Sequence, residues 1–168
     1  VVVVCLSRDE ALRSEQQQRV ASIIEQQGVS LLGWREVPND TSVLGEIAVG
    51  NMPSIFQLFL GFASLADDAH DAELFTLRRL IEKALADEPD FYICSLSTQV
   101  ISYKGLMMPV DLIGFYPDLG DPKMAASICV FHQRFSTNTL PQWPLAQPFR
   151  MLAHNGEINA IRGNRNWV

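Results

Sequence analysis

The chain has 168 residues, 48% of them hydrophobic, with a formal net charge of -6. That length buries a real core and makes one domain the default. The acidic balance, with a pI near 5.0 and no long run of like charge, argues against nucleic acid or an anionic membrane as the main partner.

Val1 to Leu6 is β-branched and apolar and reads as a strand. Ser7-Arg8-Asp9-Glu10 offers a capping box, which predicts a helix over Asp9 to Gln27 with Ala11, Leu12, Val20, Ile23 and Ile24 as its apolar stripe and Gly28 as its stop. Val29 to Val37 is a second strand, interrupted by Gly33 and closed by Pro38-Asn39-Asp40. Strand, helix, strand is the opening unit. Gly45, Gly50 and Pro53 break up the next stretch, and Ser54 to Phe62 is apolar enough for a buried strand.

A second helix is predicted from about Asp71 to Asp87, where Leu74, Leu77, Leu80, Ile81 and Leu85 recur at three and four residues. Phe91 to Leu96 and Gln99 to Tyr103 read as a hairpin across Ser97-Thr98. Pro109 to Gly120 is a connector with a short helical turn, Ala125 to Arg134 returns to strand character, and Phe149 to Ala153 is a further strand. The sum is an α/β (α+β) chain with at least some antiparallel pairing. No GxGxxG or GxxxxGK[ST] occurs, so the phosphate-cradling loops of the doubly wound nucleotide folds are missing.

Cys5, Cys94 and Cys129 stand singly in apolar runs, without the paired spacing of a zinc site or redox dithiol, and read as buried thiols. VVVVCL lacks the basic n-region and cleavage site of a signal peptide, and no apolar run approaches the ~20 residues that span a bilayer. The expected setting is cytoplasmic, or the plastid stroma in a photosynthetic eukaryote. His132 and His154 have no acidic residue at a ligand-like spacing and read as structural hydrogen-bonding groups, so no metal is expected. Arg150, Arg162 and Arg165 are as easily a solvated face as a phosphate site.

Polar side chains crowd the stretch from Phe131 to Val168. Buried polar atoms must find partners, so such crowding between apolar runs points to a site. The guanidinium of Arg134 is a rigid fork suited to a carboxylate, and the Thr137 hydroxyl could add a bond to the same group. Alone, Arg134 is more often a surface ion pair. Asn155-Gly156 offers a side-chain amide beside a backbone N–H open to close approach, the donor set of an oxyanion hole. Alone, Asn-Gly is more often a hairpin turn.

QRFSTNT (Gln133 to Thr139), WPLAQPFR (Trp143 to Arg150) and LAHNGEINAIRGNRNW (Leu152 to Trp167) resemble the glutamine-binding segment of the class II glutamine amidotransferases, an N-terminal-nucleophile family. Within it they are similar to the glutamate synthase branch, large or ferredoxin-dependent subunit, as are GWREVP, VLGEIA, FYICSLS and YKGLMMP. The resemblance implies an αββα sandwich with largely antiparallel sheets, incomplete here, and residues 1–168 as part of a single amidotransferase domain. It implies that Arg134 binds the α-carboxylate of glutamine with Thr137 assisting, and that the Asn155 amide and Gly156 N–H stabilise the tetrahedral oxyanion. In that family an N-terminal cysteine attacks the side-chain amide, its own α-amino group serving as base, and releases ammonia. Asn138 stands where other branches usually carry histidine.

The ammonia would pass to a synthase domain that binds FMN and an iron–sulfur cluster and aminates 2-oxoglutarate to glutamate. No residue of this segment is expected to bind either cofactor, and the expected partners are glutamine and the remaining domains of the same polypeptide. The chain begins at Val1 without methionine and stops at Val168. The expectation is an internal fragment, with the nucleophile upstream, an acid for the substrate's α-amino group downstream, and no glutaminase activity in the fragment alone. The competing readings are a silent glutamine-binding or interaction module and another class II amidotransferase.

Overall fold

The computed structural model describes residues 1–62, 67–135, 140–147 and 162–167. Strands β1 (Val2–Leu6), β2 (Ser30–Glu36), β3 (Ser54–Gly61) and β4 (Tyr92–Leu96) form a sheet in the order β2-β3-β1-β4. Every neighbouring pair is antiparallel. Helices α1 (Glu10–Gln26) and α3 (Asp67–Ala84) are the long ones; α2 (Glu46–Gly50), α4 (Leu112–Phe115) and α5 (Arg162–Trp167) are short.

Three of the four opening valines, Val2 to Val4, have a simple cause. β1 is a central strand buried on both faces, so its side chains alternate between two cores instead of between core and water. Val2, Val4 and Leu6 join Val20, Ile24, Leu58, Leu74, Leu77, Ile81 and Leu85 beneath α1 and α3. Val3 and Cys5 join Val37, Met52, Ile55, Cys94, Phe115, Tyr116 and Trp143 on the opposite face.

Both long helices occur as expected, with shifted details. Asp9, not Ser7, caps α1: its Oδ1 accepts from the Leu12 N–H at 3.0 Å, while Ser7 Oγ accepts from the Asp9 N–H at 3.2 Å. The buried face of α1 is Gln16, Val20 and Ile24, and Leu12 is exposed. Gln16 is tolerated there because both ends of its amide are satisfied, Oε1 by the Ser7 N–H and Nε2 by Glu88. Gly28 follows α1 at φ 72°, the left-handed position a helix stop asks of glycine. Helix α3 starts at Asp67 and ends at Ala84, and Leu80 of its stripe is largely exposed.

Two strand expectations fail. Gln99 to Tyr103 is not a strand and forms no hairpin with β4. The serines take the place of a ladder: Ser97 Oγ accepts from the Gln99 and Val100 N–H groups, and Ser95 Oγ accepts from the Ser102 N–H. Ala125 to Arg134 is also without strand structure and is exposed throughout. Strand propensity makes no strand without a neighbour to pair with, and none lies beside it among the described residues. Cys129 is therefore exposed, a correction to its reading as a buried thiol, whereas Cys5 and Cys94 are buried. The Phe149 to Ala153 strand lies outside the described residues.

One antiparallel sheet covered by the two long helices on one face supplies two of the layers of the αββα arrangement; the described residues on the opposite face are the short helices α2 and α4, turns and irregular chain.

Candidate functional site

The core opposite the long helices includes Val37, Cys94 and Trp143 from the motif segments, and polar side chains at its margin tie it together. Arg35 on β2 and Gln57 on β3 are register partners. The Arg35 guanidinium grips Asp118 with both arms, Nη1 to Oδ2 at 2.8 Å and Nη2 to Oδ1 at 2.7 Å, and Nη1 also donates to Gln57 Oε1 at 2.8 Å. Tyr103 closes the ring, its hydroxyl donating to Asp118 Oδ2 at 3.0 Å and accepting from Gln57 Nε2 at 3.1 Å. The Arg35 bond holds the Asp118 carboxyl below its usual range, and the carboxylate in turn raises Arg35.

Next to Tyr103 in sequence, Lys104 is buried, and its ammonium donates to the carbonyls of Pro144 at 2.9 Å and Ala146 at 3.0 Å. It lies 5.2 Å from the centre of the Tyr92 ring. Burial lowers the lysine's pKa. Burying an ammonium costs several kcal/mol, and two charge-assisted bonds of about 1.5–3 kcal/mol each only roughly offset that. The net effect is therefore on position more than on stability: the charge fixes where residues 144–146 run.

Trp143 secures the same segment from the other side. It is 2% exposed, its Nε1 donates to the Ala48 carbonyl at 3.0 Å, and its ring lies 5.9 Å from that of Phe115. Gly105 makes room for it: a Cβ there would stand 2.4 Å from Trp143 Cζ3. Tyr116 completes the support by donating from its hydroxyl to the Lys104 carbonyl at 2.8 Å.

The segment held in this way lies in sequence between the two halves of the expected glutamine site, Arg134 with Thr137 on one side and Asn155 with Gly156 on the other. Arg134 is exposed, on irregular chain, with no ion pair to the described residues. Thr137, Asn155 and Gly156 lie outside the described residues, as do Asn138, His154 and Arg150. His132 is exposed, as is Arg162.

The residues that sequence reasoning missed are Lys104, Gly105, Asp118 and Trp143. A signal was available for the first two: a lysine and a glycine directly after a tyrosine, in a mostly apolar stretch with no acid within five residues. Nothing local to Asp118 marks it, because its partner Arg35 is 83 residues away.

The pattern for class II glutamine amidotransferases matches residues 1–168 from end to end. The chain belongs to the class II glutamine amidotransferase family. Among curated relatives of this amidotransferase, the glutamate synthase [NADPH] large chain of Azospirillum brasilense is 49% identical over 84% of the chain and 10% of that protein. Ferredoxin-dependent glutamate synthase 1 of Arabidopsis thaliana, chloroplastic/mitochondrial, is 43% identical over the whole chain and 11% of its own length. Ferredoxin-dependent glutamate synthase 2 of Synechocystis is 43% identical with the same coverage. The chain thus spans about a tenth of the length of these relatives. No helix among the described residues is long and apolar enough to cross a membrane.

Proposed function

We propose that this chain is the glutamine-hydrolysing part of a glutamate synthase, releasing ammonia that the rest of the polypeptide adds to 2-oxoglutarate. The observation that carries this reading is the match to glutamate synthases from a bacterium, a cyanobacterium and a plant over 84–100% of the chain. Segments of this chain that resemble glutamate synthases also meet in the fold: Arg35 of GWREVP and Tyr103 of YKGLMMP both bond Asp118, and Lys104 of YKGLMMP bonds Pro144 and Ala146 of WPLAQPFR.

In this reading the Arg134 guanidinium takes the α-carboxylate of glutamine, with the Thr137 hydroxyl beside it. The Asn155 amide and the Gly156 N–H donate to the oxygen of the side-chain amide as it becomes an oxyanion. Lys104 and Trp143 touch no substrate; they are positioning residues that set the segment joining the two halves. The nucleophile lies outside these 168 residues. Each of the three cysteines is preceded by a peptide bond, so none has the free α-amino group that would serve as its base, and two of them are buried in the sheet. The 168-residue chain by itself is therefore expected not to hydrolyse glutamine.

In this reading the described residues carry none of the redox cofactors of such an enzyme. They contain no group of three or more side chains able to hold a metal, and Cys5 and Cys94 contact each other. FMN and the iron–sulfur cluster belong in this reading to other domains, and no step here runs through them. The test is glutamine hydrolysis by the full-length protein carrying Asn155→Ala. The expected result is a fall in kcat of about 10²–10³ with little change in KM; an unchanged kcat would remove Asn155 from the oxyanion site.

A further inference from the structure

Cys5 and Cys94 take no part in the glutamine chemistry, yet their surroundings are not those of two inert core thiols. Their Sγ atoms stand 3.6 Å apart on neighbouring strands, joined by a thiol hydrogen bond. The β1–β4 ladder brings them together: Val3 pairs with Ser95 and Val4 with Ile93, so Cys94 is the extra residue at the register slip, without a ladder partner of its own.

Both thiols are buried, but only one of the two residues borders a cleft. Cys94 lines a cleft of about 360 Å³ with Arg78, Glu82, Tyr92, Lys104 and Pro144 among its walls, and Cys5 does not reach it. The hydrogen bond from Cys5 lowers the Cys94 thiol against the opposing effect of burial, and the charges of Lys104 and Arg78 act in the same direction. Burial raises Cys5, which stays a thiol. Tyr92 also borders the cleft, and burial together with the neighbouring Cys5 and Cys94 raises its hydroxyl.

We propose that Cys94 and Cys5 are a peroxide-responsive thiol pair, with Cys94 as the attacking sulfur and Cys5 as the resolving one. The Cys94 thiolate attacks one oxygen of hydrogen peroxide; the O–O bond breaks, hydroxide leaves, and the sulfur becomes a sulfenic acid. The Cys5 thiol then attacks that sulfur, the S–O bond breaks, and water carries off the oxygen with the Cys5 proton. Two electrons have passed from the thiols to the peroxide, and the sulfurs have closed from 3.6 Å to the ~2.05 Å of a disulfide. A dithiol reductant reverses the step by exchange.

The experiment is peptide mapping of the full-length protein, reduced, treated with hydrogen peroxide, denatured and alkylated. Cys5 and Cys94 are expected to become unavailable to alkylation together, to appear as one linked peptide, and to return on treatment with dithiothreitol, while the exposed Cys129 is not the partner of either. In Cys5→Ser, Cys94 is expected to accumulate as sulfenic acid, seen as a several-fold rise in its dimedone adduct; in Cys94→Ser, Cys5 gains none. The proposal is overturned if Cys5 and Cys94 both stay alkylatable after peroxide, or if Cys94 links to a different cysteine. The wild-type map alone decides between these outcomes, so a variant that fails to fold does not blunt the test.

Discussion

On its helix-covered face the sheet buries Val2, Val4, Leu58, Leu74, Leu77 and Ile81, while on the other it buries Cys5, Cys94, Phe115, Tyr116 and Trp143 and carries Lys104, Arg35 and Asp118 at its margin. Aliphatic packing against two helices needs volume and pattern, and many sequences satisfy it. The opposite face needs particular donors opposite particular acceptors, so few substitutions preserve it. The two faces therefore tolerate change differently: a fold can be held by exchangeable hydrophobes, whereas the path of residues 143–146 depends on a tryptophan, a lysine and a glycine.

The largest effect that would break this comparison comes from Trp143→Ala, which removes the central ring of the second face. Destabilisation of about 3–5 kcal/mol is expected, read as a lowered denaturant midpoint of the full-length protein. A loss below about 1 kcal/mol would show that the ring is not the keystone described. Gly105→Ala follows. Its methyl would meet both Trp143 and Met107 closer than atoms pack, and because the tryptophan is held on all sides a cost of about 1–3 kcal/mol is expected by the same measurement.

Asp118→Asn is smaller, about 1 kcal/mol, because the Arg35 side chain is 39% exposed and water screens the pair. It carries a pH signature. The folded protein holds Asp118 below its unfolded value, so its contribution is complete above about pH 4 and disappears as the pH falls through the depressed value. The wild type should therefore lose more stability than the asparagine variant on acidification below pH 4, and parallel curves would show that the pair contributes nothing.

The sequence was informative where periodicity and local chemistry decide structure. The opening strand, both long helices and the stop at Gly28 could be read because each follows from residues within a turn or two of one another. The expected strand at Ala125 to Arg134 failed for the opposite reason: Ile128, Val130 and Phe131 have strand character, but pairing needs a neighbour from elsewhere in the chain. The hairpin at Ser97-Thr98 failed because Ser95 and Ser97 satisfy backbone amides that a strand would have used. Arg134, Thr137, Asn155 and Gly156 are proposed from residue type and motif, whereas the bonds that hold residues 143–146 could not be read from the sequence. The bonds from Lys104 to Pro144 and Ala146 join residues about 40 positions apart, and the ring from Arg35 to Asp118 joins residues 83 apart. No local pattern encodes either.

The most direct measurement compares glutamine hydrolysis by two variants of the full-length protein, one from each face. Leu77→Ala beneath the helices is expected to lower Tm and leave KM for glutamine unchanged. Lys104→Met, which releases Pro144 and Ala146, is expected to raise that KM by about tenfold or more, the equivalent of about 1.4 kcal/mol in binding. A folded Lys104→Met protein with unaltered KM, or the same rise in both variants, would contradict the proposal that Lys104 positions the segment joining the two halves of the glutamine site.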